Sequence, residues 1–587
     1  MKFFRFLCVL CVLCGSRLSA FALDREAFSI TRYDLKATIE PEQQRLEVRG
    51  AITIRNDSDA PQKNVALQIS SSLNWASIQG GGKPVVFVTQ TYTSDIDHTG
   101  ALSEAIVELP QAIAPKQAFD LQIGYEGTIP QDATRLTRIG VPAATAKHSD
   151  WDEIGKDFTA VRGVGYVAWY PIAAEAASLS DGNAVFETIG RWKQRETDAE
   201  MKVNLCHRIA SGQGTSAPGF MFMNDVHFGA PGGGVGGVAG VEETICTDYD
   251  FLRLGNITPV FVMARGLNTQ GENVRVHYSP QHKSGADDFG LALDETAPKT
   301  ALWFGDHRSD NHGEKSAAAA EVIDLPDPDD APYESGNVLL MPLSGSDTQY
   351  LLAAVRLQTR EAFPSSRAWI AGGLAGYAQA VLMQEEKSRG AAIAYMEGHR
   401  AALIESEKEN VAEGSNKAAA HSLINDPDEF YVQDKAMNVW WMLRDIVGEP
   451  ALTAALHNYK ALDDNRADYM QKLIEAQAHK DLSWFFNDWV YRDKGLPEFR
   501  IVSVYPRELV RGGYMVSVEV ENTGDAAAEV PVTLHMAEGT AGDRLTVAGK
   551  SKASVRIVVP MRPQEATVND GSVPEMNPGN NSFKIGP

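Results

Sequence analysis

Residues Ala353–Val381 read AAVRLQTREAFPSSRAWIAGGLAGYAQAV, and the organisation of the chain turns on them. Apolar residues recur there at three- and four-residue spacing, which predicts helices. Arg356 and Arg360 stand four apart, so one helix face presents both guanidiniums. Trp369 and Tyr377 fall at helical spacing among apolar residues. Core packing is the expectation for them, with stacking against a ligand as the alternative.

Helical spacing extends outward from this stretch over Asp347 to Arg492. RGAAIAYMEGHRAALIESEKE (from Arg389), KAMNVWWMLRDIVG (from Lys435) and DLSWFFNDWVYRDKG (from Asp481) all carry it, with Gly448 and Gly495 where helix ends are expected. Trp440, Trp441, Trp484 and Trp489 are core candidates on the same grounds. Before this region the rhythm is two. YDLKATI puts Tyr33, Leu35, Ala37 and Ile39 on one face, LEVRGAITI does so with Leu46, Val48, Ile52 and Ile54, and Asn56–Asp59 turns the chain. FLRLGNITPVFVMARG (Phe251–Gly266) reads as the last strands of that region, and EVIDL as a short strand between two polar connections. After Leu496-Pro497 the alternation returns through Val516, Val518, Val520 and, past a turn at Asn522–Asp525, Val530, Val532 and Leu534. The prediction is an α+β multi-domain chain. It has a leader over 1–22, an N-terminal antiparallel β-domain over 23–266, a mainly helical domain over 267–497 and an Ig-like β-sandwich over 498–587.

The first residues predict export. Lys2 and Arg5 precede an apolar run from Phe6 to Cys14, and Ala20-Phe21-Ala22 offers a small-x-small site, so a signal peptide cleaved near Ala22 is expected. Cys14 follows Leu13, where a lipidated cysteine wants a small residue. The destination is the periplasm or the exterior, with no stable membrane insertion. Of five cysteines, Cys8, Cys11 and Cys14 leave with the leader, so Cys206 and Cys246 are expected to form a disulfide. The formal charge of −23 argues against nucleic acid or an anionic membrane as partner.

Some motifs carry little. Gly232, Gly234 and Gly237 satisfy G-x-G-x-x-G, but no strand-turn-helix surrounds them, so a hairpin tip is expected. Asp306, His307, Asp310 and His312 are ligand types crowded into one loop without the rigid support a metal site uses.

Arrangement and wording together resemble the aminopeptidase N (membrane alanyl aminopeptidase) family of gluzincin zinc metallopeptidases. WIAGGLAGY (Trp369–Tyr377) is similar to that family's W-L-N-E-G-F-A-x-Y. KAMNVWWMLRDIVGEPAL (Lys435–Leu452) is similar to its K-G-x-x-x-x-x-L-R-x-x-x-G helix, and WFFNDWVYRDKGLPEF (Trp484–Phe499) to the end of its catalytic domain. The resemblance implies a saddle-like first domain and a thermolysin-like second one. It also implies zinc held by H-E-x-x-H and a glutamate on the next helix.

Set against that pattern, AVRLQTREAF places Arg356 and Arg360 at the two histidines and Leu357 at the general base. Gly372 takes the place of the third ligand. Arginine has no lone pair to give, leucine takes no proton and glycine has no side chain. No His-Glu dipeptide occurs anywhere in the chain. The family's amine-gripping G-x-M-E-N strand falls near YESGNVLLMPL, where Glu334 is the only carboxylate. Its transition-state tyrosine falls at Gln433, with Tyr431 two residues away. The expectation is therefore an exported, aminopeptidase N-like pseudoenzyme, without catalytic residues or zinc cofactor, that retains a peptide- or protein-binding role. Its binding candidates are Arg356, Arg360, Glu334, Tyr377 and Tyr431. The two arginines are expected to pair with carboxylates such as Glu334 or Glu361, or, as the sharper alternative, to bind a peptide's terminal carboxylate. The competing readings are an active zinc aminopeptidase with displaced ligands, such as His307 and His312, and a purely structural module.

Overall fold

The structure is a computed structural model that describes residues 23–209, 220–224, 243–251, 253–305, 320–413 and 422–586. The expected leader, the Gly232–Gly237 loop and the Asp306–His312 loop lie outside the described residues.

Period-two alternation in the first region becomes a seven-stranded sheet. Phe28–Glu40 lies antiparallel to Arg45–Asn56, and the alternate residues Tyr33, Leu35, Ala37 and Ile39 are buried. A three-stranded sheet of Gln62–Ser70, Ala101–Ile113 and Val86–Thr93 shares its core. One departure from an all-antiparallel arrangement is the parallel pairing of Phe28–Glu40 with Glu200–Ile209. Local alternation does not reveal which distant strand a strand will meet. A helix that the expectation of strands passed over, α1 (Ala184–Glu196), precedes that second strand. Val185, Thr188 and Trp192 form its buried face. Cys206 and Cys246 sit directly opposite each other on adjacent antiparallel strands, with Cα atoms 4.0 Å apart, and are disulfide-bonded.

The middle of the chain forms a five-stranded sheet. Its order is Asn268–Gln270, Val274–Tyr278, Ala320–Asp324, Val338–Met341 and Tyr333–Ser335. The central three strands are parallel, and Tyr333–Ser335 is an antiparallel edge. Gly336, at φ +59°, makes the tight turn between Tyr333–Ser335 and Val338–Met341. All five residues of Ala320–Asp324 are buried, as a strand covered on both faces requires. Helices α2 (Lys283–Phe304) and α3 (Asp347–Ala362) pack on one side, and Trp151, Phe222 and Val260 from the first region pack on the other.

Helix α3 begins at a capping box, with Gln349 accepting from the Ser346 N–H at 2.8 Å. Helices α4 (Ala368–Glu386), α5 (Arg389–Glu397) and α6 (Arg400–Glu413) follow; the run expected from Arg389 breaks into two at Gly398-His399. Helix α7 (Glu429–Val447) starts where Asp428 accepts the N–H groups of Phe430 and Tyr431, each at 3.0 Å. It stops at Gly448, φ +84°.

One hydrophobic core runs from these helices into the C-terminal sandwich, where Trp489 Nε1 donates to the Ala527 carbonyl at 2.7 Å. The sandwich pairs a sheet of Phe499–Glu508, Tyr514–Asn522 and Ser551–Val559 with a four-stranded sheet centred on Ala528–His535 and Glu565–Val568.

Candidate functional site

Four elements converge beside the edge strand. Tyr333–Ser335 contributes Glu334, α3 contributes Arg356 and Arg360, α4 contributes Gly372, and α7 contributes Gln433. Arg356 Nε donates to Glu334 Oε2 at 2.8 Å, and Arg360 Nε lies 3.1 Å from Glu334 Oε1. One carboxylate therefore holds both guanidiniums by their Nε atoms, one oxygen each. Arg356 also donates from a terminal nitrogen to Gln433 Oε1 at 3.0 Å. The side chains of Arg356, Arg360 and Glu334 are 27, 28 and 14 % exposed, so the cluster borders solvent.

Burial pushes the Glu334 carboxyl up, but the two guanidiniums outweigh it and hold the group below the ordinary carboxylate range. Burial likewise works against the Arg356 charge, and Glu334 more than restores it. Two cations around one anion leave an excess of positive charge. The next carboxylate acting on Arg356 is Asp434, which already faces His399 Nδ1 at 3.1 Å.

Gly372 shows why α4 carries two consecutive glycines. A Cβ there would stand 2.3 Å from Gln433 Cγ, and one on Gly373 would stand 2.5 Å from Ala436 Cβ. The glycines let α4 and α7 approach closely, and the Gln433 side chain fills the space that a residue at 372 would need. Leu357, between the arginines, is buried in the core beneath the sheet with Tyr350 and Ala354. Arg356, Arg360, Leu357 and Gly372 offer no ligand atom for a zinc ion, which leaves Glu334 as the one carboxylate of the cluster. Guanidinium nitrogens have no lone pair to donate. A unit positive charge at about 4 Å also repels another by about 4 kcal/mol at an effective dielectric near 20, and a dication twice as strongly.

The other expected binding residues lie elsewhere. Tyr377 is buried against Phe304 and Trp441. Tyr431 belongs to a second ionic cluster, one that its sequence setting did not signal. Its hydroxyl donates to Asp493 Oδ2 at 2.5 Å and accepts from Lys435 Nζ at 2.9 Å, while Lys435 is ion-paired to Asp493. Lys435 is wholly buried, its ammonium 5.3 and 5.7 Å from the ring centres of Tyr431 and Trp489. Burial pushes Asp493 up, and Lys435 pulls it back below its ordinary value. Elsewhere His148, Asp327 and Asp329 place ligand atoms within 4.8 Å of one another. His148 Nδ1 also lies 3.1 Å from Asp330.

No family model and no curated protein matches the sequence. Solved structures that resemble the chain include the M1 zinc metallopeptidase of Deinococcus radiodurans. It is 14 % identical, with a TM-score of 0.42, over 77 % of this chain and 91 % of that one. A glutamate-to-alanine mutant of that metallopeptidase, alone and bound to a Tyr-Ser-Ala substrate, matches at 14 % identity and a TM-score of 0.43, over 80 % of this chain and 96 % of that one.

Proposed function

We propose that this chain is an exported pseudoenzyme of the aminopeptidase N type, a peptide-binding protein that performs no hydrolysis. The observation that carries the proposal is the Gln433–Gly372 contact. The place where the resemblance expects a third zinc ligand is filled by a neighbouring side chain, so a glutamate there would collide with Gln433. Support comes from Arg356 and Arg360 at the two histidine positions, both tied to Glu334. With arginines where the metal ligands belong and Leu357 where a base belongs, these positions offer no group to hold a metal or to take a proton from water. The Glu334 carboxylate, with both oxygens engaged, is not free to grip a substrate amine. Export is supported by the apolar run that follows Lys2 and Arg5 in the sequence and by the Cys206–Cys246 bond, which suits an oxidising compartment.

A second reading, hydrolysis at a displaced metal, draws on the His148–Asp327–Asp329 cluster. Aminopeptidase turnover on aminoacyl p-nitroanilides, with and without added zinc, separates the two. The proposal expects none under either condition, and chelator-sensitive turnover would sink it.

A further inference from the structure

Resting on the binding function proposed above, we infer that the Arg356–Glu334–Arg360 cluster recognises the C-terminal carboxylate of a peptide. Both arginines face Glu334 through Nε, and Arg356 gives one terminal nitrogen to Gln433. Among the described residues, the other terminal nitrogen of Arg356 and both of Arg360 make no hydrogen bond. A guanidinium gripped at Nε is fixed in orientation, and its end-on pair of N–H groups, one from each terminal nitrogen, faces away from the grip. Glu334 thus acts as a brace that orients two forks, four residues apart on α3.

The chemistry of those forks selects the ligand. Planar N–H pairs match the two oxygens of a carboxylate, and a charge-assisted bidentate contact is stronger than a neutral one. The cluster's excess positive charge favours an anion over the free amine that Glu334 would otherwise have attracted. Because the side chains are a quarter exposed rather than sealed, a ligand can reach them. Glu334 lies on the edge strand of its sheet, and edge strands are where extended peptides commonly dock. A peptide end supplies the carboxylate together with a backbone to follow that edge. Free acetate and inorganic phosphate supply an anion alone.

The test uses the mature full-length chain and N-terminally dye-labelled penta-alanine, made with a free C-terminus and as the C-terminal amide. Fluorescence anisotropy should show the free acid binding about tenfold or more tighter than the amide. Arg360→Gln should bring the affinity for the acid down to that for the amide. Arg360→Lys, which keeps the charge and loses the fork, should recover only part of the preference. Acid and amide binding equally to the wild-type chain overturns the carboxylate inference and leaves the peptide-binding function standing. Neither peptide binding overturns both. Acetate or inorganic phosphate displacing the acid at concentrations equal to the peptide's own also overturns the inference, because the site would then take any anion. The wild-type comparison of acid with amide requires no variant to fold.

Discussion

Gln433 and Lys435 are two residues apart on α7, and each belongs to a cluster of cation and carboxylate. At Lys435 the ammonium, Asp493 and Tyr431 satisfy one another under aromatic rings, and Lys435 has no exposed surface. At Gln433 two guanidiniums share one carboxylate, border solvent and keep terminal N–H groups unspent. The first cluster pairs its one cation directly with one carboxylate and ties α7 to the chain leaving the helical region. The second carries surplus charge and open donors. Similar residue types therefore do different work according to stoichiometry and exposure: the sealed pair contributes to the fold, and the open one is available to a ligand.

The largest expected effect lies on the sealed side. Lys435→Met strands the Asp493 carboxylate in the core, at a cost of about 3–5 kcal/mol in denaturant unfolding. Adding Asp493→Asn should return part of that loss. A cost near zero for Lys435→Met would remove the distinction between the clusters.

Glu196 sharpens the comparison by showing a buried carboxyl with no guanidinium or ammonium bonded to it. Burial pushes it up to about 7, although it accepts hydrogen bonds from Tyr33 Oη at 2.6 Å and the Ile30 N–H at 3.1 Å. The folded protein then holds a proton that the unfolded chain has released. This contribution is complete below the ordinary glutamate range and is lost as pH rises to about 7. It should amount to on the order of 3 kcal/mol. Unfolding free energy measured from pH 4 to 8 should show this fall in the wild-type chain, and a flatter profile in Glu196→Gln.

Steric filling on the open side gives the next effect. Gly372→Ala should cost about 1–3 kcal/mol by forcing its methyl group against Gln433, and Gln433→Ala should relieve the strain when combined with it. Strictly additive losses in that double-mutant cycle would mean that the two positions do not compete for space. The smallest effect belongs to Arg360→Gln, whose partly exposed pairing should cost about 1 kcal/mol or less in the same unfolding measurement.

Much of this was legible in the sequence, for identifiable reasons. The helical spacing from Asp347 announced α3, Gly448 the end of α7, and the valine alternation after Val516 the sandwich. Each is a local rule acting within a few residues. The four-residue spacing of Arg356 and Arg360 put both on one face, and Glu334 was among the carboxylates within expectation. The parallel partner of Phe28–Glu40 was not legible, because it lies more than 150 residues along the chain. Helix α1 did carry a signal in the spacing of Val185, Ile189 and Trp192, masked by the strands around it. Gln433 looked like a missing tyrosine, and only the packing of α4 on α7 shows it filling the space above Gly372. Tyr431 and Tyr377 looked like binding residues because aromatic side chains serve cores and ligands alike, and burial decides between these uses.

The central claim is that the Arg356–Glu334–Arg360 cluster recognises ligands without metal chemistry, and its most direct test is metal content joined to turnover. The mature protein should be dialysed against trace zinc, its zinc per chain measured by mass spectrometry, and peptide hydrolysis followed on the same sample. The account predicts substoichiometric zinc and intact peptides. One zinc per chain with hydrolysis that a chelator abolishes would contradict it.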